Sequence, residues 1–212
     1  MKKTLLLVLV LCFCTFSVFA SKSWFGVEGF TAYSEETTTF TVLGIDFPED
    51  SKATLMGITV SGTLFPSENS PFGLGYQIGA GKLVNATHGS SQDDVSDYPL
   101  TWKGSLSCQY SADFTKQLSM QLGVGALYES MTKGADNNNS EAVVIKYNTF
   151  SIIANADLLF HVSDSLAILG GVSVAIPLSS QATVTSGDFS IDSGIAVKGY
   201  TVLGQLGVAF FL

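Results

Sequence analysis

Few side chains in this sequence could do chemistry, and their spacing limits what that chemistry could be. His88 precedes Ser90 and Ser91 closely enough for an imidazole base to activate a hydroxyl, the arrangement that acyl transfer requires. One histidine among many loop serines is a weak pattern, and the expectation is a solvated loop side chain. His161, the other histidine, has no sequence neighbour that would recruit it. Two acidic runs, Asp93, Asp94 and Asp97, and then Asp136 through Glu141, offer the oxygen ligands a hard cation takes. Neither carries the glycine-bearing spacing of a calcium loop, so both read as solvated acidic connections. No catalytic, cofactor-binding or metal site is expected, and the chain is not expected to be an enzyme.

Charge and the N-terminal leader narrow the classes further. Every basic residue is lysine, and the formal net charge is −8. Without arginine there is no bidentate phosphate clamp, and an acidic chain is repelled by nucleic acid. The chain opens on Lys2 and Lys3, runs apolar from Leu5, and places Val18 and Ala20 at the positions a signal peptidase reads. Residues 1–20 are therefore expected to be a signal peptide cleaved near Ala20. A lipoprotein leader modified at Cys12 or Cys14 fits less well, because Leu11 and Phe13 precede those cysteines where a small residue belongs. Cleavage removes two cysteines and two lysines, leaving Cys108 alone, no internal disulfide and a charge of −10. Residues 21–212 form one expected domain.

Strands must position whatever the chain carries. In the last stretch, Val202, Leu206, Val208, Phe210 and Leu212 alternate with Thr201, Leu203, Gln205, Gly207 and Ala209. The same period of two recurs in Trp24–Tyr33, Ala53–Phe65, Phe72–Val84, Leu100–Phe114, Leu118–Glu129, Ile145–Phe160 and Leu166–Leu178, making eight strands. The connections alternate long and short, with the short ones at the end that holds both termini. The stretch from Ser34 to Lys52 is either a loop or an extension of the strands.

Which face meets solvent, and which meets a core, follows from what opposes the bulky side chains. The second face is Gly, Ser, Thr and amide, with Glu28, Lys103, Asp113, Glu129 and Asp157, groups small and polar enough to fill a narrow lumen. A soluble ligand-carrying barrel would reverse that polarity. The bulky face is thus expected to meet acyl tails, and an open sheet edge cannot survive there, so the sheet must close. Aromatic residues near strand ends fit two interfacial rings: Trp24, Phe72, Phe114, Phe160 and Phe210 toward the short turns, and Tyr33, Trp102, Tyr128, Tyr147 and Tyr200 toward the long connections. Pairing Phe114 with Leu118 sets Lys103 opposite Glu129, which predicts a cross-strand ion pair. Leu127, Ile153, Leu159, Leu169 and Leu203 are expected to point inward, making one half of the lumen apolar and leaving the first half polar.

The strand count, loop asymmetry, leader and C-terminal strand together resemble the small eight-stranded bacterial outer-membrane proteins of the OmpA, OmpX and OmpW kind. The resemblance implies a closed, all-β, antiparallel up-and-down transmembrane barrel with short periplasmic turns and long extracellular loops. It implies residence among outer-membrane lipid, insertion by the barrel-assembly machinery through the Tyr200 to Phe210 strand, and a monomer. The expected role is a surface-exposed structural or adhesion protein with an external ligand at its loops. The alternative is an OmpW-like, porin-like conduit for small apolar molecules, and a lipid-modifying enzyme using His88 is the third reading.

Overall fold

The computed structural model describes residues 22–42, 45–92, 94–95, 98–135, 143–186 and 189–212. Their strands, in chain order, are β1 (Trp24–Val42), β2 (Ile45–Leu64), β3 (Phe72–His88), β4 (Ser91–Gln92), β5 (Thr101–Asp113), β6 (Leu118–Ala135), β7 (Val143–Ser163), β8 (Leu166–Ser186) and β9 (Phe189–Phe211). Each long strand pairs antiparallel with its neighbours in the order β2, β1, β9, β8, β7, β6, β5, β3. Pairing of β2 with β3 then closes a ring of eight, with the two-residue β4 folded back on the end of β3. Closure gives each of the eight long strands a partner on both sides, the condition hydrocarbon imposes on a sheet.

The strands run well past the ends that alternation indicates. Pairing of β1 with β2 continues through Ser34↔Ala53 to Val42↔Ile45, so the 34–52 stretch is a strand extension. β6 and β7 likewise stay paired out to Ala135↔Val143, and β8 and β9 to Ser186↔Phe189. Long connections expected as loops are therefore largely paired strand. The short end keeps tight turns: the Phe114 amide donates to the Leu118 carbonyl at 2.9 Å, which sets the expected Lys103↔Glu129 register.

Period-two alternation sorts the side chains onto two surfaces. Outward residues are large and exposed: Leu206 at 67%, Ile78 at 64% and Phe72 at 63%. Inward residues include Leu159 and Leu169 at 0% and Glu28 at 1%. Such an apolar exterior around a polar interior needs a cover of acyl chains. Rings of exposed aromatics bound it, Phe72, Phe114, Phe160 and Phe210 at the short-turn end and Tyr33, Trp102, Tyr128 and Tyr200 at the other. Phe25 joins the lower ring, stacked on Phe210 with centroids 5.5 Å apart, and Phe72 meets Tyr110 at 5.4 Å. Eight positions separate Phe25 from Tyr33, about 26 Å along a strand at about 3.3 Å per residue.

Two aromatics expected in these rings lie elsewhere. Trp24 is 3% exposed and faces the lumen, where its indole N–H donates to Gln121 Oε1 at 3.3 Å. It shares the parity of Gly26 and Glu28, so the same alternation that turns Glu28 inward carries Trp24 with it. Tyr147 likewise shares the inward parity of Ser151 and Ile153 and lines a cavity at the outer end.

Candidate functional site in the barrel lumen

The middle lumen is packed, above a space of about 800 Å³ at the short-turn mouth bordered by Ser111, Ser119, Gln121 and His161. Leu159 and Leu169 cluster with Trp24, Ala167 and Ala209 near the short turns, while Phe65, fully buried, donates its backbone N–H to Ser23 Oγ at 3.0 Å. Above them a chain of amides crosses the lumen. Gln77 Nε2 donates to Gln205 Oε1 at 3.1 Å, and Gln205 Nε2 donates to Asp157 Oδ1 at 2.8 Å. Asn155 Nδ2 donates to Asp157 Oδ2 at 2.6 Å, and Gln109 Nε2 donates to Asn155 Oδ1 at 3.2 Å and to Ser107 Oγ at 2.8 Å. The Ser61 hydroxyl donates to Glu28, whose charged neighbours are Asp157 and Lys103. The void left among these residues is about 30 Å³, room for a single water.

Inward glycines create the room for these long side chains. A β-carbon at Gly123 would strike the Asn155 and Gln109 amides, and one at Gly171 would strike the Asp157 carboxylate. Sequence alternation placed the glutamines and Asn155 on the inner face but gave no sign that they join into one network, because their partners come from strands distant in the chain.

The charged and apolar residues picked out from sequence distribute as follows. Glu28, Lys103 and Asp157 are buried in the lumen, as are Leu127, Ile153, Leu159, Leu169 and Leu203. Asp113 has lumen parity but lies at the lower rim, exposed, 3.9 Å from Lys22. Lys103 and Glu129 are opposite each other in register yet form no ion pair. The Lys103 ammonium instead sits 3.5 Å from the centre of the Phe30 ring and has no hydrogen-bond partner among the described residues. The ring face is negative and close, and Phe30 at 4% exposure is fixed in place. The expected division into one apolar and one polar half does not hold either. Phe30, Ala32, Leu55, Leu83 and Ala86 from the first strands cluster with Leu203 from the last.

That cluster floors a cavity of about 190 Å³ inside the outer end of the barrel. Leu55, Leu83, Ala86, Ile195 and Val197 line it with hydrocarbon, and Glu36, Glu129, Lys52, Thr101 and Ser180 are among its polar groups. Beside it the β8–β9 ladder breaks. Ala175 pairs with Thr201 and Ser180 with Ile195, but the four residues of β8 and five of β9 between these pairs are not matched. Pro177 lies in the gap and has no N–H to give. Over the same stretch β9 remains paired to β1, from Ala196↔Thr39 to Tyr200↔Glu35. Thr201, Ser180, Ile195 and Val197 belong to both the frame of the gap and the cavity wall.

His88, Ser90 and Ser91 lie at the tip of β3 and the turn into β4, where His88 pairs with Ser51 and Ser91 through the backbone. His161 does have neighbours: Ser119 Oγ lies 3.0 Å from its Nε2, and its ring meets Phe211 at 4.8 Å. Asp93, Asp97 and the run from Asp136 to Glu141 fall outside the described residues. Among the described residues no group of three His, Cys, Asp or Glu could hold a metal ion.

No family model and no curated protein sequence matches the chain. Solved structures do match it. The chain is similar to the outer membrane protein OprG from Pseudomonas aeruginosa, at 10% identity and a TM-score of 0.63 over 90% of this chain and 96% of that one. Neisserial surface protein A matches at 11% identity and a TM-score of 0.51, covering 89% of this chain and 97% of its own. The outer membrane protein AlkL, solved in DMPC lipid bilayers, matches at 17% and 0.52 over 90% of both chains. At such identities the likeness speaks for the fold, which is that of the small eight-stranded outer-membrane barrels.

Proposed function

We propose that this barrel sits in a bacterial outer membrane and passes small apolar molecules from its outer cavity sideways into the bilayer. The break in the β8–β9 ladder beside the cavity carries the reading. A solute that enters from outside meets apolar walls, finds the lumen below filled by the amide network, and lies beside the stretch of β8 and β9 whose backbone is unmatched. Tyr200, of the outer aromatic ring, stands at the lower end of the gap, and the exposed Ile176 and Leu178 flank it on β8, so the foot of the route meets the membrane at headgroup level. A signal peptide over residues 1–20, insertion by the barrel-assembly machinery and a monomeric state belong to the same reading.

Toluene entry into intact cells tests it, with an internal toluene-oxidising enzyme reporting entry as oxygen consumption. Expression of the chain should raise the rate several-fold. Pro177→Val, which gives β8 a donor inside the gap, should return it toward the rate of cells without the protein. Equal rates for wild type and empty cells would sink the proposal.

The outer arms support a second reading, contact with an external ligand. Nine positions of β1 lie beyond Tyr33, about 30 Å of paired strand standing clear of the apolar belt. Replacing residues 39–47 by a short turn should then abolish attachment of expressing cells to a surface while leaving toluene entry unchanged.

A further inference from the structure

We infer that the outer cavity selects amines, its occupant being a molecule of about one aromatic ring that is held as the ammonium ion and passes to the bilayer as the neutral base, its proton left to solvent. The inference rests on the cavity being the entry site proposed above and adds the class of molecule it takes. The volume of about 190 Å³ suits a single ring with a one-carbon arm, since an apolar cavity of about 150 Å³ already holds benzene. Hydrocarbon makes much of the wall, and among the polar groups that interrupt it the Glu36 carboxylate forms no ion pair among the described residues. Glu36 and Glu129 both border the space and lie close enough for their charges to oppose each other.

The nearby cations are engaged or out of place. Lys52, which borders the cavity, is taken up by Glu35 at 3.0 Å, and Lys103, under the floor with its ammonium on the Phe30 ring, acts on Glu129, which leaves Glu36 without a cation of its own. Thr101 adds an independent sign of a missing group. It is 5% exposed and borders the same cavity, and its Oγ1 has no hydrogen-bond partner among the described residues. A buried hydroxyl without a partner carries a standing free-energy cost that a ligand donor would remove. An ammonium has three donors and no acceptor, which matches two carboxylates and one hydroxyl. A carboxylate ligand would instead face two like charges.

Titration of Glu36, which lies beyond the outer aromatic ring, points the same way. Burial, with the Glu129 charge adding to it, pushes the Glu36 carboxyl up to about 7, the behaviour of an acid without a counter-ion. The charged and titratable groups around it are Glu129 on β6, Lys52 and Glu49 on β2, Tyr147 on β7 and, below, Lys103 on β5. A bound ammonium favours the ionised form, so its affinity should rise as pH passes upward through about 7.

The test uses the full protein in lipid nanodiscs, with benzylamine, benzyl alcohol and benzoate as probes of one size and three charges. Binding is read by calorimetry against protein-free discs. Benzylamine should bind about tenfold more tightly than benzyl alcohol, the scale of one charge-assisted hydrogen bond, and benzoate least tightly. Glu36→Gln with Glu129→Gln should reduce benzylamine to the level of benzyl alcohol and leave benzyl alcohol itself unchanged. Thr101→Val, the milder change, should weaken benzylamine a few-fold and keeps the test alive if the double variant does not fold. Equal affinity for amine and alcohol, stronger binding of benzoate, or a preference that survives the double variant would overturn the inference while leaving the cavity an entry site. If none of the three probes binds, the entry site itself falls, and the amine preference with it.

Discussion

At Gly123 the absence of a side chain is a packing requirement, because the space a β-carbon would take is occupied by the Asn155 and Gln109 amides. Gly123→Val should therefore push apart the network that ends at Asp157 and cost about 1–3 kcal/mol of stability, read as a lower urea midpoint for the folded form in lipid. Glu36 makes a prediction of opposite character. Its carboxyl is raised from 4.5 to about 7, so the folded state holds the proton more tightly than the unfolded chain does. A raised acid stabilises the fold least when ionised, and stability should fall as pH rises from about 4.5 through 7. Glu35 stays ionised across that window, since the Lys52 ammonium and the Tyr200 hydroxyl hold its carboxyl below the usual value. Unfolding of Glu36→Gln should accordingly depend less on pH between 5 and 8 than unfolding of the wild type. Parity alone told which of these side chains look inward. It could not tell that Lys103 would prefer the Phe30 ring to Glu129, because that choice depends on where a ring from β1 lies across the lumen.

Strand length shows where sequence reading stops and why. Within the apolar belt, lipid on one side and a packed lumen on the other impose a period of two, and the strand centres follow from it. Beyond the outer ring the outer face loses its lipid, the greasy alternation fades, and what remains is β-branched content such as the run Thr37, Thr38 and Thr39. The register of β1 on β2 nevertheless continues unbroken to Val42↔Ile45. Trp24 was misplaced for a related reason: its position near a strand end suggested the interface, while its parity, shared with Glu28, decided the lumen. Cys108 checks the facing directly. It is exposed on the outer face of β5 between Leu106 and Tyr110, so a membrane-impermeant maleimide should fail to label it in a bilayer and should label it fully in denaturant. Labelling of the folded, lipid-embedded protein would place that face in water.

The described residues gain their stability from a closed ladder and a filled interior, with no disulfide among them. Detergent-extracted protein should run at one mobility on a gel when unheated and at another after boiling, and a single band insensitive to heating would contradict a closed barrel. Closure around a filled lumen also bears on the gap between β8 and β9. Matched pairs lie at both of its ends, Ala175↔Thr201 below and Ser180↔Ile195 above, so the frame is fixed in height at about 16 Å by the five steps of β8 that separate them. β9 spends one residue more over the same rise, so the two strands fall out of register across the gap. On the proposed route, a slot pinned top and bottom would sieve by girth and ignore length: slender chains and single rings should enter expressing cells faster than a fused polycycle of equal hydrophobicity.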